Sequence, residues 1–78
     1  MVSIAAGDWA VNSELVPGTY STNASSGCYW ERVRSFDGTL SSIIANDFVS
    51  GGGVQYVTIA PSDVGFRTDE ACGSWTKG

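Results

Sequence analysis

The feature that most constrains the fold is the alternation of short apolar stretches with turn-forming residues along the chain. The stretches are rich in β-branched and aromatic residues, and apolar residues do not recur at helical spacing over any long window. Turn signals separate them, namely Val16-Pro17-Gly18-Thr19, Asp37-Gly38, Gly51-Gly52-Gly53 and Pro61-Ser62-Asp63. The pattern predicts an all-β fold of about six to seven short strands.

The strand pattern also predicts how the strands are arranged. We expect strands at residues 8–11, 18–22, 28–36, 39–46, 54–60, 64–68 and 72–76. Asp37-Gly38 predicts a tight hairpin of the primed type, and the short connections predict an antiparallel meander. Adjacent apolar residues such as Ile43 and Ile44 point to opposite faces, as do those of residues 54–59, so both faces are expected to be covered. A small antiparallel β-sandwich or a barrel would meet this requirement.

The two cysteines suggest a covalent crosslink. The 78 residues form one small all-β domain, expected to span residues 1–78, and domains of this size bury a limited core. Cys28 and Cys72 allow one intramolecular pairing, and closing a loop of about 45 residues would stabilise the fold by roughly 4 kcal/mol. A disulfide is therefore favoured. Two buried free thiols, which behave as small apolar residues, are the alternative.

Composition argues against most biochemical activities. The formal net charge of −4 disfavours a nucleic-acid binder. The chain contains no apolar window of about 18 residues, so no membrane span is predicted. The chain has no histidine, which excludes histidine-based triads and histidine metal sites, so neither a metal nor a cofactor is expected. We expect no catalysis. Hydrolysis by a pair of carboxylates is the remaining alternative.

The predicted strand 28–36 carries the first candidate binding surface. Trp30, Arg32, Arg34 and Phe36 fall on one face, which places two guanidinium groups between two aromatic rings. Such a face is typical of a recognition surface, because Trp and Arg are enriched where proteins meet. The alternative is that both rings belong to the core and the arginines extend outward along them.

Four more residues complete the candidate sites. Trp9 and Trp75, near the two chain ends, are candidates for an exposed aromatic platform, with burial in the core as the alternative. Glu31 lies in the middle of strand 28–36, and Arg67 on a later strand is its candidate ion-pair partner. Such a pair would fix strand register more than it would add stability.

Several segments occur in an order that resembles a known family. They are Gly7-Asp8-Trp9-x-Val11, Val16-Pro17-Gly18-Thr19-Tyr20, Gly27-Cys28-Tyr29-Trp30-Glu31-Arg32, Ile43-Ile44-Ala45-Asn46, Val57-Thr58-Ile59 and Cys72-Gly73-Ser74-Trp75. The chain resembles a small domain of secreted proteins and lipoproteins of actinobacteria, and of proteins of their phages. The resemblance implies a compact all-β module with paired cysteines that works outside the cytoplasm, and it implies no reaction.

These observations predict a non-catalytic extracellular or cell-surface binding module. A protein partner or self-assembly is expected, and cell-wall carbohydrate is the alternative ligand. Residues 1–6 have neither the basic region nor the long apolar core of a signal peptide, and Met1 is interpreted as a native start. These features favour the alternative role, a structural virion component of an actinobacterial phage such as a capsid or tail decoration protein.

Overall fold

The computed structural model describes residues 3–77, which form eight strands and two short 3-10 helices. The strands are β1 (Ser3–Ile4), β2 (Gly7–Ala10), β3 (Gly18–Ala24), β4 (Cys28–Val33), β5 (Ile43–Val49), β6 (Gly53–Ile59), β7 (Gly65–Thr68) and β8 (Trp75–Lys77). The 3-10 helices are η1 (Leu40–Ser42) and η2 (Glu70–Cys72). The ends of the predicted domain, residues 1 and 78, lie outside the described residues.

The strands form two four-stranded antiparallel sheets packed as a sandwich. The first sheet has the order β1-β8-β3-β6, and the second sheet has the order β2-β7-β4-β5. The predicted all-β class is confirmed, as a sandwich rather than a barrel. β3 and β4 are joined by only three residues, 25–27, and β5 and β6 by residues 50–52, so the edge strands β5 and β6 lie on the same side of the sandwich.

The predicted meander is wrong, because consecutive strands mostly lie in different sheets. Of the strands in residues 3–77, β4 and β5 are the one pair of sequence neighbours that are also hydrogen-bonded neighbours. The most extensive pairing joins β3 to β6 over seven residue pairs, and β8 inserts between β1 and β3. Local alternation predicts that a segment is a strand, whereas its partner is chosen by packing between distant segments.

The predicted tight turn at Asp37-Gly38 is also wrong, because β4 ends at Val33 and η1 lies in the connection to β5. A primed turn needs a positive φ at its first central residue; Gly38 has one, at 80°, whereas Asp37 does not. The Asp37 carboxylate instead accepts hydrogen bonds from the backbone nitrogen and the hydroxyl of Thr39, at 2.9 and 2.8 Å. These bonds lower the pKa of Asp37, because they favour its charged form.

Strand β4 contains an irregularity that the sequence pattern does not indicate. Its side chains alternate between the two faces from Cys28 to Arg32, but the register with β5 shifts between Arg32 and Val33. Val33 is therefore fully buried instead of pointing outward. The predicted face pattern of strand 28–36 holds only as far as Arg32.

The core lies between the sheets and surrounds the disulfide. Its largest members are Trp75, Tyr20, Phe66, Ile4, Leu15 and Ile59. The predicted bond between Cys28 and Cys72 is confirmed, with both cysteines fully buried and their Cα atoms 4.5 Å apart. It joins the start of β4 in the second sheet to η2, which directly precedes β8 of the first sheet. The crosslink therefore connects the two layers.

The outer faces of both sheets are open to solvent, contrary to the expectation that both faces of the apolar strands are covered. Val54 and Tyr56 on β6 are 59% and 70% exposed, and Phe48 on β5 is 62% exposed. Ile44 is 38% exposed, whereas its neighbour Ile43 is half-buried. Adjacent apolar residues in β5 and β6 thus mark one core face and one exposed apolar face.

Candidate functional site

Trp30 and Arg32, two members of the candidate binding surface, point into the sandwich. The ring of Trp30 packs against Phe66, with centroids 6.2 Å apart, and Phe66 makes an edge-to-face contact with Trp75 at 5.6 Å. Trp30 is therefore part of the wall of the core. Its Nε1 atom is buried and has no hydrogen-bond partner within residues 3–77.

Arg32 forms a buried ion pair that the sequence did not predict. Its Nε and Nη2 atoms donate to the two carboxylate oxygens of Asp63, at 2.7 and 3.1 Å. Asp63 Oδ2 also accepts from the backbone nitrogen of Ala60 at 3.0 Å, and the Asp63 side chain is only 1% exposed. The hydrogen bond to Asp63 raises the pKa of Arg32. The pair ties β4 to the turn between β6 and β7, so Arg32 is a structural residue.

The other three candidate binding residues, Arg34 of the same predicted face and the two tryptophans of the predicted aromatic platform, occupy separate environments. Trp75 is fully buried and donates from Nε1 to the Thr68 hydroxyl at 2.8 Å, which contradicts its assignment to a binding surface. Trp9 is half-buried against the core and donates to the carbonyl oxygen of Ala5 at 2.9 Å. Arg34 is exposed in the connection after β4. The five candidates therefore do not form one exposed surface.

The predicted ion pair between Glu31 and Arg67 is replaced by a different contact. The two residues are direct cross-strand partners on β4 and β7, as the prediction requires. The ion pairs within residues 3–77 are, however, Arg32 with Asp63 and Arg67 with Asp8. Arg67 Nε lies 3.5 Å from Asp8 Oδ1 on β2. Glu31 is thus left as a half-buried carboxylate beside this pair.

The outer face of the second sheet brings together aromatic and charged side chains. Directly opposed residues share a face, so the register places Asp8, Arg67, Glu31 and Asn46 in one row across β2, β7, β4 and β5. Tyr29 and Phe48 form the adjacent row on β4 and β5. We call this surface the aromatic–charged face; its members are Asp8, Tyr29, Glu31, Asn46, Phe48 and Arg67.

Phe36 covers one part of this face. Its ring lies over the backbone of Gly65, where an added Cβ atom would overlap it, and the guanidinium carbon of Arg67 is 5.3 Å from the ring centroid. Arg67 therefore lies between the Phe36 ring and Asp8, and its buried Nε atom has no hydrogen-bond partner within residues 3–77. Gly65 is needed here because only a residue without a side chain leaves room for the ring.

Phe48 and Tyr29 are the two aromatic side chains of the face and lie directly opposite each other. Phe48 is 62% exposed, and Tyr29 is half-buried with its hydroxyl accepting a hydrogen bond from Asn46 Nδ2 at 3.2 Å. A rigid ring beside an amide and charged groups offers both apolar contact and directional hydrogen bonds. The face is thus suited to binding another molecule.

Sequence reasoning missed this face although Tyr29 and Glu31 stand inside the segment that it singled out. The signal was present in the alternation, because Cys28 must face the core if it forms a disulfide, which forces Tyr29 and Glu31 outward. The strand pattern predicts that this strand ends at residue 46, whereas β5 continues to Val49 and carries Phe48 on its outer face.

Among residues 3–77, one group of metal-ligating residue types lies close together, namely Cys28, Asp69 and Cys72, and its two sulfur atoms are bonded to each other. No pocket opens within the same residues. None of the described helices has the length and apolar character needed to cross a membrane.

Comparison with known proteins identifies the family to which this chain belongs. The family model described as "Rv1352-like extracellular domain" matches residues 2–76, which is nearly the whole chain. No curated protein and no solved structure shows significant similarity to this chain. The match agrees with the resemblance to a small disulfide-containing domain of actinobacterial secreted proteins and gives an extracellular location. The chain belongs to the Rv1352-like extracellular domain family.

Proposed function

We propose that the protein is a non-catalytic binding module that contacts a protein partner outside an actinobacterial cell through its aromatic–charged face. The observation that carries this proposal is Phe48, which is 62% exposed on β5 directly opposite Tyr29. A large apolar ring on an outer sheet face contributes nothing to the core. Aromatic side chains of this kind provide much of the binding energy when a partner covers them.

The charges around the rings support a protein as the partner. Arg67 is held between Asp8 and the ring of Phe36, and Glu31 lies beside it without an ion-pair partner in the described part of the chain. Fixed charges of both signs select a complementary surface and exclude others, because like charges brought together are repelled. A neutral polysaccharide would not use them in this way.

Two observations favour binding over catalysis. The chain contains no histidine, the residue most often used for proton transfer near neutral pH. Asp8 and Glu31 are separated on the face by Arg67, so a positive charge stands between the two carboxylates. The family match is to an extracellular domain and gives no support to the virion role.

The proposal is tested by titrating the fluorescently labelled domain onto actinobacterial cells. We expect saturable binding that Phe48→Ala and Tyr29→Ala each weaken by about tenfold. Thr19→Ala is the matched control, because Thr19 is exposed on the outer face of the first sheet. It should leave the binding curve unchanged.

Treating the cells before the titration separates the classes of partner. Binding to a protein is lost when the cells are first treated with protease and is unaffected by soluble peptidoglycan or cell-wall polysaccharide fragments. Competition by those fragments would instead identify carbohydrate as the ligand and refute the protein partner. Binding that is equal for wild type, Phe48→Ala and Tyr29→Ala would exclude the aromatic–charged face.

A further inference from the structure

We propose that β6 is a self-association edge, on which a second copy of the chain pairs β6 with β6 and joins the two first sheets into one eight-stranded sheet. This goes beyond the aromatic–charged face, because it uses the other sheet and a partner identical to the protein itself. It rests on four properties of β6: an open edge, the lack of any blocking device, the lack of charge and the symmetry of the strand.

The backbone of β6 is hydrogen-bonded along one side only. Within residues 3–77 its ladder partner is β3, and no other backbone hydrogen bond involves residues 53–59. Strand β6 is seven residues long and pairs with β3 without a register shift. Gly53 at its start has a positive φ of 108°, and from Val54 onward the opposite side of the strand presents a row of backbone donors and acceptors, which is the template that another strand needs.

The other three sheet edges each carry a feature that discourages pairing. Strand β1 has two residues and β2 has four, of which one is the charged Asp8. Strand β5 is as long as β6, but it contains Asp47, and its pairing with β4 shifts register. Proteins commonly protect edges with short strands, charges and bulges. Strand β6, with the sequence Gly-Val-Gln-Tyr-Val-Thr-Ile, has none of these.

Charge also favours the first sheet as the place where two copies meet. Each chain carries a formal net charge of −4, so two copies repel each other at long range. None of the eight acidic residues lies in the strands of the first sheet, whose one charged residue is Lys77. Asp8, Glu31 and Asp47 all lie in the second sheet. Edge-to-edge contact through β6 therefore places no acidic side chain in the ladder that joins the two copies.

The strand is arranged symmetrically about Tyr56, its central residue. A two-fold axis at Tyr56 pairs residues 54–58 of the two copies in an antiparallel β6–β6 ladder, and Val54 of one copy then lies opposite Thr58 of the other. Val54 and Tyr56 are 59% and 70% exposed on the outer face. In this register the two Tyr56 rings meet at the axis and each Val54 gains a neighbour.

The test begins with sedimentation equilibrium of the full chain. One strand edge gives an interface at the small end of the usual range, so we expect a weak dimer with a Kd between about 10 µM and 1 mM. Amide hydrogen exchange at β6 should slow as the concentration rises, with no change at β5. A chain that stays monomeric at about 1 mM overturns the proposal.

Paired charge variants then test the register. Val54→Lys with Thr58→Lys places lysines opposite each other twice, and we expect association to weaken by roughly tenfold or more. This variant reduces the net negative charge from −4 to −2, so the long-range repulsion between copies decreases. That change alone would strengthen association rather than weaken it. Val54→Lys with Thr58→Glu places opposite charges together and should associate as well as wild type.

A control on the second sheet completes the test. Ile44→Lys with Phe48→Lys introduces the same two charges on β5 and should leave the dimer unchanged. The melting temperature of each variant shows whether the monomer is still folded, which is expected because all four positions are exposed. Equal weakening by both β6 variants, or weakening by the β5 variant, would overturn β6 pairing in this register.

Discussion

Replacing Arg32 by Met would leave the carboxylate of Asp63 buried without its cation. The Asp63 side chain is 1% exposed, and the remaining donor to it is the backbone nitrogen of Ala60. Removing one partner of a buried ion pair usually costs about 3–5 kcal/mol, since the other charge stays desolvated. Arg32 is itself 21% exposed, so water can reach the vacated space, and we expect a loss of about 3 kcal/mol.

The loss is measured by urea unfolding, followed through tryptophan fluorescence. A decrease of about 3 kcal/mol in the free energy of unfolding corresponds to a fall in Tm of about 12 °C or more for a domain of this size. Arg34→Met is the matched control, because Arg34 is exposed and makes no ion pair within residues 3–77. It should change stability by no more than about 0.5 kcal/mol.

A double variant decides whether the buried charge is the cause. Asp63→Asn alone should cost about 1–2 kcal/mol, because the amide is neutral and keeps one acceptor for Arg32 or Ala60. Adding Asp63→Asn to Arg32→Met removes the unpaired charge, so the double variant should be more stable than Arg32→Met alone. A double variant that is destabilised by the sum of the two single losses, or by more, would refute the reasoning.

Three further predictions follow from the geometry. Gly65→Ala should cost about 1–3 kcal/mol by urea unfolding because its Cβ overlaps the Phe36 ring, and the cost should shrink in a Phe36→Ala background; an equal cost in both backgrounds contradicts the contact. Replacing both Cys28 and Cys72 by Ala should lower the free energy of unfolding by about 4 kcal/mol, and a loss below about 1 kcal/mol would show that the crosslink constrains the unfolded chain little. Asp37 should titrate by NMR with a midpoint below the ordinary value of about 3.9, and Thr39→Val should raise that midpoint. The hydrogen bonds that Asp37 accepts stabilise the folded state above the unfolded pKa, and this stabilisation is lost as the pH falls through the folded pKa. An unshifted midpoint contradicts the contact.

Local features of the fold were predictable because they depend on neighbouring residues. Alternating β-branched and aromatic residues located the seven longer strand segments approximately, and the disulfide followed from two cysteines, with one possible pairing, in a small domain. The two-residue β1 and the exact strand ends were missed, because so short a segment has no pattern of its own and pairs only where β8 offers an edge.

The order of strands and the choice of ion pairs depend on packing between distant segments. The β3–β6 pairing joins residues about 35 positions apart, and Arg32 meets Asp63 because β4 pairs with β7, which follows the turn that contains Asp63. The sequence predicted Glu31 as the ion-pair partner of Arg67, and these residues do lie opposite each other. Arg67 nevertheless pairs with Asp8 on its other side.

The sequence predicted that the candidate site includes β4, but it did not predict which side chains of β4 face outward. Alternation alone assigns Trp30 and Arg32 to one face but does not say which face is covered. The disulfide decides this, because Cys28 must reach Cys72 within the core and thereby turns Trp30 inward and Tyr29 outward. The exposed cross-strand partner of Tyr29 is Phe48 on β5. The sequence alone does not indicate this pairing, because it depends on the register between β4 and β5.

The central claim, that the aromatic–charged face binds an extracellular protein, is tested most directly by site-specific photo-crosslinking on actinobacterial cells. A photoreactive phenylalanine analogue replaces Phe48 in one sample and Thr19, on the outer face of the first sheet, in another. We predict a discrete protein adduct from position 48 that is absent from position 19 and is lost when Arg67→Glu is added. Equal adducts from both positions, or an adduct from position 48 that Arg67→Glu leaves unchanged, would contradict the claim.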